Sequence, residues 1–200
     1  MSSADYQNTD PHAADHEHTD PTGIEGNDPF ARLEDVPAFT VTSSTVTHGE
    51  EWPAAQYSAD SGREGGADVS PHLSWSGAPE GTKSYAVTIV DPDAPTMTGF
   101  RHWSVVNIPA DVTELAENAA ADEALPAGAF QLAHDGGAPG FMGAAPPAGH
   151  GPHRYFITVF ALDTEDLGIE KDATGTFFGF NLFFHTIGRA SMVVTASIAE

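Results

Sequence analysis

A mostly β fold with a minor helical part is what this sequence predicts, on three observations. Short runs rich in β-branched and aromatic residues recur between turn signals. Gly (20) and Pro (15) are numerous enough to break the chain often. Only two stretches favour helix, and neither is long. At 200 residues the chain suits one domain with a substantial core.

Residues 1–35 are polar and acidic, and the string DPHAADHEHTDPTGIEGNDP has no apolar period. They read as a disordered tail ahead of a β domain spanning 36–200. His12, His16 and His18 lie in that tail and read as solvated, because a mobile segment must be ordered before it can hold an ion. AFTVTSSTVT (Ala38–Thr47) is the first strand signal, and HLSWS a short one after a Gly/Pro/Ser-rich loop. SYAVTIV (Ser84–Val90) and WSVVNI (Trp103–Ile108) are continuous apolar runs, expected as strands buried on both faces. DVTELAENAAADEA is expected to hold a short helix starting at Asp111. RYFITVFAL (Arg154–Leu162) is the strongest strand signal, and ASMVVTASI closes the chain as another. Between them, FFGFNLFFHTIG spaces Phe180, Phe183, Phe184 and Ile187 as one helical stripe, with Gly188 as its stop. Those phenylalanines, with Trp75 and Trp103, are expected in the core, since aromatics supply large buried area. Trp52 is expected to cap the sheet or rim a pocket.

Charge narrows the function classes. Twenty-nine acids against 7 bases give a net charge of −22, with the acids scattered and lysine present only at Lys83 and Lys171. Such a field repels nucleic acid and anionic membranes, so neither is expected as a partner. The pattern suits a halophilic surface, because at 1 M salt the screening length is only about 3 Å and self-repulsion is small. The absence of Cys excludes disulfides, thiolate zinc sites and Cys nucleophiles. No apolar run reaches the roughly 20 residues of a spanning helix. The start, MSSADYQNTD, lacks the basic and apolar regions of a secretory signal, so a cytoplasmic location is expected.

The densest chemistry lies in DPDAPTMTGFRHW. Asp91 directly follows a buried strand, where functional loops are mounted on rigid scaffold, and reads as a site residue. Asp93 reads as an Asx-turn former. His102 and His153 each open an apolar strand. Either both are satisfied structural residues, or they converge with Asp91 if the strands are neighbours. A carboxylate beside two imidazoles would favour their protonated forms, which donate to oxyanions. Backbone N–H groups of the Gly/Pro loop 137–152 could complete such a cradle. Arg101 and Arg154 flank the histidines and are expected to hold acidic loops, exposed or as buried pairs with a nearby Asp.

DPDAP, HWSVVNIPA and PPAGHGPHRYFITVFALD, in that order, resemble the phosphatidylethanolamine-binding protein family, particularly its Raf kinase inhibitor-like branch of bacteria and archaea. HLSWSGAPEGTKSYAVTIVDPDAP and GFNLFFHTIGRASMVV fit as well, so the resemblance covers roughly residues 36–200. It implies a large antiparallel sheet, a smaller second sheet and a few peripheral helices. It also implies a cavity for a small anion, such as phosphate, a carboxylate or a phosphorylated head group. Carried over, Asp91, His102 and His153 line that cavity, Gly143 and Pro146 belong to its loop wall, and Tyr155 packs beside His153. Phe141 stands where the family often has Tyr, and Ala144 and Ala145 replace residues usual in that wall, so its shape is expected to differ.

Three function classes follow. The first is a small-anion binding protein without a cofactor. The second is a metal-assisted hydrolase using Asp91, His102 and His153, a set of the right ligand types. The third, which the resemblance permits, is a regulator that binds a protein partner. A Ser nucleophile is poorly supported, since there is no GxSxG and Ser104 lies inside a strand run.

Overall fold

In the computed structural model, which describes residues 22–24, 26–121 and 124–200, the strand signals assemble into two antiparallel sheets. The small sheet joins β1 (Thr40–Thr42), β2 (Leu73–Ser76) and β5 (Glu114–Leu115) in the order β1-β2-β5. The large one joins β3 (Ser84–Asp91), β4 (Phe100–Pro109), β6 (Phe130–Gln131), β7 (His153–Leu162) and β8 (Thr186–Ala196) in the order β6-β4-β3-β7-β8. Among the described residues one α-helix, α1 (Gly175–His185), lies between β7 and β8 in the chain, and a 3-10 turn spans Ala54–Gln56.

The large sheet is covered on both sides, which is why its central strands read as unbroken apolar runs. Successive side chains alternate between faces. Tyr85, Val87 and Ile89 of β3 and Tyr155, Ile157 and Val159 of β7 pack in one layer with Leu73 and Trp75 of the small sheet. Ala86, Phe156 and Phe160 enter the opposite layer, against Phe178 and Leu182 of α1. Every residue of β7 is buried.

Several expectations are corrected. The Ala38–Thr47 run forms only the three-residue β1. No helix starts at Asp111: that stretch turns, supplies β5 as a partner for β2, and carries Asn118 at φ 63°. The phenylalanine stripe faces the other way. α1 buries Phe178 and Leu182, four residues apart, while Phe177, Phe180, Phe183 and Phe184 stand 46–60% exposed. Ile187 and Gly188 belong to β8, and a Cβ on Gly188 would come within 2.7 Å of the Pro79 ring. Apolar packing also extends ahead of residue 36, for Phe30 is buried against Phe156. His12, His16 and His18 lie outside the described residues. Trp75 and Trp103 are core, as expected, and Trp52 is buried with them.

Candidate functional site

Asp91 ends β3 and His153 begins β7, two strands paired antiparallel, so chain direction alone brings both to one end of the sheet. Both lie on the face that carries Ile89 and Tyr155, because positions two apart share a side. There the His153 Nδ1 and Asp91 Oδ2 atoms are 2.8 Å apart, with both side chains at least 96% buried. An ionised carboxylate only accepts, so the imidazole donates from Nδ1. The other carboxylate oxygen, Oδ1, accepts the backbone N–H groups of Asp93 (2.8 Å) and Ala94 (2.9 Å). Asp91 therefore makes the Asx-turn that was assigned to Asp93, and orients a histidine as well.

His102 arrives by a less regular route. Strict alternation from Trp103, which faces Val105 and Ile89 in the core layer, would send His102 to the opposite side. The ladder between β3 and β4 shifts register here: Ile89 opposes Trp103, Val90 opposes Arg101, and His102 is the extra residue. This β-bulge turns His102 back toward Tyr155, with ring centroids 5.0 Å apart, and leaves Arg101 for the other face. The His102 Nδ1–H donates to the Met142 carbonyl at 2.7 Å. In the neutral ring Nε2 is then an acceptor.

These groups share one pocket of about 170 Å³, which Asp91, His102, His153, Tyr155, Pro146 and Ala145 help to line. Of the residues carried over from the resemblance, Phe141 and Gly143 do not line it. The Phe141 ring packs behind the site, 6.3 Å from Trp52 and 6.2 Å from Trp103. Gly143 lies so close to the chain at residues 57–58 that a Cβ would sit 2.4 Å from the Ser58 nitrogen. Its N–H donates to Asp68 Oδ1 at 2.7 Å, which pins the loop from behind.

One further residue escapes the sequence reading, and another takes a different role from the turn expected of it. His150 Nδ1 lies 2.7 Å from His153 Nε2, so a hydrogen-bonded chain runs from buried Asp91 through His153 to an exposed imidazole. The three-residue spacing in GHGPH was its available signal. Asp93 is the second: it accepts from Arg154 through the backbone N (2.9 Å), Nε (2.8 Å) and Nη2 (2.6 Å). This is the buried pair that was one of two readings for Arg154. Arg101, the other flanking cation, pairs with Asp135 at 2.9 Å.

The electrostatics differ from expectation at His102. Burial pushes its pKa below the ordinary 6.5, outweighing the Met142 carbonyl and the Asp91 charge, which push upward. The ring is neutral at pH 7. Burial and the neighbouring Asp91 raise the Tyr155 pKa, so its phenol stays protonated. The Tyr155 hydroxyl faces Asp91, whose charge and hydrogen bonding both act on it, but it forms no hydrogen bond of good geometry there. Among the described residues no three His, Asp or Glu side chains are grouped to hold a metal ion. Asp91 and His153 bond to one another rather than facing a common cation.

A small pocket of buried titratable groups, mounted on the end of a rigid sheet, is the architecture of a ligand-binding β domain. The chain belongs to the phosphatidylethanolamine-binding protein family, whose model matches residues 42–197. UPF0098 protein YbcL of Escherichia coli (strain K12) is 45% identical over 163 residues, covering 80% of this chain and 85% of that one. UPF0098 protein YbhB of the same strain is 46% identical over 133 residues, covering 66% and 84% respectively. The crystal structure of E. coli YbcL, described as a new member of the mammalian PEBP family, aligns with a TM-score of 0.77 at 43% identity. It covers 80% of this chain and 98% of that one.

Proposed function

We propose that the pocket binds a small oxyanion, either phosphate, the phosphoryl group of a phosphorylated head group, or a carboxylate, and that this protein binds its ligand without turning it over. The observation that carries the reading is the Tyr155 hydroxyl, a donor on the pocket wall in a residue 99% buried, which faces Asp91 without forming a hydrogen bond of good geometry. An unmade buried hydrogen bond costs about 1–3 kcal/mol, and a ligand oxygen would recover it. His102 supplies the second contact. Its Nδ1 is committed to Met142, which leaves Nε2 for the ligand.

The sign of the pH dependence follows. A neutral His102 presents a lone pair to an oxyanion, whereas the protonated ring donates. Its ligand-free pKa lies below 6.5, so binding draws a proton onto it and strengthens as pH falls toward and below that value. Calorimetry in molar salt should therefore show phosphate binding tighter at pH 5.5 than at pH 8, with proton uptake. Tyr155→Phe should weaken binding about 10–100-fold, the worth of a hydrogen bond to a charged group, while leaving the ligand-free fold as stable or slightly more so. Equal affinity at both pH values, or an unchanged affinity in Tyr155→Phe, would sink the reading.

High salt belongs to the same proposal, for it screens the net charge of −22 and lets short-range donors hold an anion. The melting temperature is expected to rise from dilute buffer to molar KCl. A fall would exclude a surface adapted to salt.

A further inference from the structure

The opposite face of the large sheet holds a larger cavity, about 540 Å³, between β3, β8, α1 and the segment 29–36. Its size falls within the range of small-molecule sites. Its walls are mainly apolar, with Phe30, Leu33, Phe160, Phe178 and Leu182 among them. Four charged residues also line it, Glu34, Arg101, Asp135 and Arg189, and of these Arg189 is the most deeply buried. Arg189 is 96% buried, and its guanidinium lies over the Phe30 ring at 4.6 Å. Among the described residues its guanidinium makes one hydrogen bond, a long one of 3.5 Å from Nη2 to the Glu34 carbonyl, and Nε makes none.

No carboxylate of the described residues lies within ion-pair distance of Arg189. Arg154, the other buried arginine among the described residues, has Asp93, and the partly buried Arg101 has Asp135. Asp28 and Asp35 act on Arg189 only at longer range, and Glu34 and Asp135 also line the cavity. An arginine cannot shed its charge at working pH, so burial without a counter-ion is costly. A fixed cation on the wall of a largely apolar cavity defines a complementary molecule.

We propose that this cavity is a second ligand site, taking an amphipathic carboxylate whose apolar tail lies between α1 and the sheet and whose carboxylate pairs with Arg189. The planar guanidinium suits a carboxylate because it can donate two parallel hydrogen bonds. Entry is open beside α1, where Phe183 both lines the cavity and stands exposed at 46%. The anion pocket and this cavity lie on opposite faces of one sheet, so the two ligands should bind independently.

The test is calorimetry on the full chain in molar KCl, with the first pocket saturated by phosphate. Decanoate should bind at least tenfold tighter than decanol, which offers the same tail without the charge. Arg189→Met should lose that tenfold preference, keep decanol binding, and melt at a higher temperature when ligand-free. Gly179→Leu supplies an independent variant. Gly179 lines the cavity, and a Cβ there meets nothing within 4 Å, so the added side chain occupies space without a clash. It should abolish decanoate binding, retain phosphate binding and keep the fold. Equal binding of decanoate and decanol to the wild-type chain would overturn the proposal. So would decanoate binding that survives either variant. If Arg189→Met does not fold, the wild-type comparison and Gly179→Leu decide the matter alone.

Discussion

Asp93→Ala is expected to destabilise the fold by roughly 3–5 kcal/mol, the cost of breaking a buried ion pair by removing one partner. The reason is what remains. Arg154 has a side chain 4% exposed and gives Asp93 two side-chain hydrogen bonds and one from its backbone. Without the carboxylate a permanent cation stays in the interior after losing three hydrogen bonds, with the Asn27 carbonyl at 3.1 Å and the Phe156 ring at 5.5 Å among its remaining contacts. The double variant Asp93→Ala/Arg154→Met should therefore be more stable than Asp93→Ala alone, because it removes the buried charge together with the carboxylate it pairs with. Urea unfolding of the wild type, both single variants and the double variant measures the coupling. Additive effects would mean that the pair is held in water-like surroundings after all.

That pair also shows where sequence reasoning stops. The strands β3, β4, β7 and β8 were legible because their middle stretches are buried and written largely in β-branched and other apolar residues. Asp91 and His153 were legible as candidates because both sit at strand ends. Their meeting depended on β3 and β7 being neighbours, which the family resemblance supplied and periodicity could not. Asp93 and Arg154 are 61 positions apart, and nothing local distinguishes a turn-forming aspartate from one that neutralises a distant arginine. His102 required a register shift, a property of two strands together rather than of either sequence. Its protonation state depended on burial, which the sequence reading could not weigh against the nearby carboxylate. The helix misled for a different reason. Hydrophobicity marks Phe177, Phe180, Phe183 and Phe184 as core, but the sheet has room for only one face of α1, and Phe178 and Leu182 take it.

Asp91→Ala should cost about 3–5 kcal/mol as well, for it strips three donors at once: the imidazole of His153 and the N–H groups of Asp93 and Ala94. Backbone amides of the 93–94 turn should lose hydrogen-exchange protection together with the drop in stability. Asp91→Asn separates the two roles of the carboxylate. The amide oxygen can still accept from Asp93 and Ala94, so the turn persists. The amide nitrogen then faces His153 Nδ1 as a donor, and the ring must change tautomer to accept. Its proton moves to Nε2, which lies 2.7 Å from His150 Nδ1 and donates there, reversing the direction of the Asp91–His153–His150 chain. No hydrogen bond is lost in that rearrangement, so Asp91→Asn should cost only about 1 kcal/mol, the difference between a charge-assisted bond and a neutral one. Nitrogen-15 spectra of the imidazoles read the change directly. In the wild type the proton of His153 belongs on Nδ1, and in Asp91→Asn it should appear on Nε2. A His153 ring that kept its Nδ1 proton in Asp91→Asn would show that the carboxylate does not set its tautomer. The hydrogen-bonded route from the sheet interior to His150 would then need another origin.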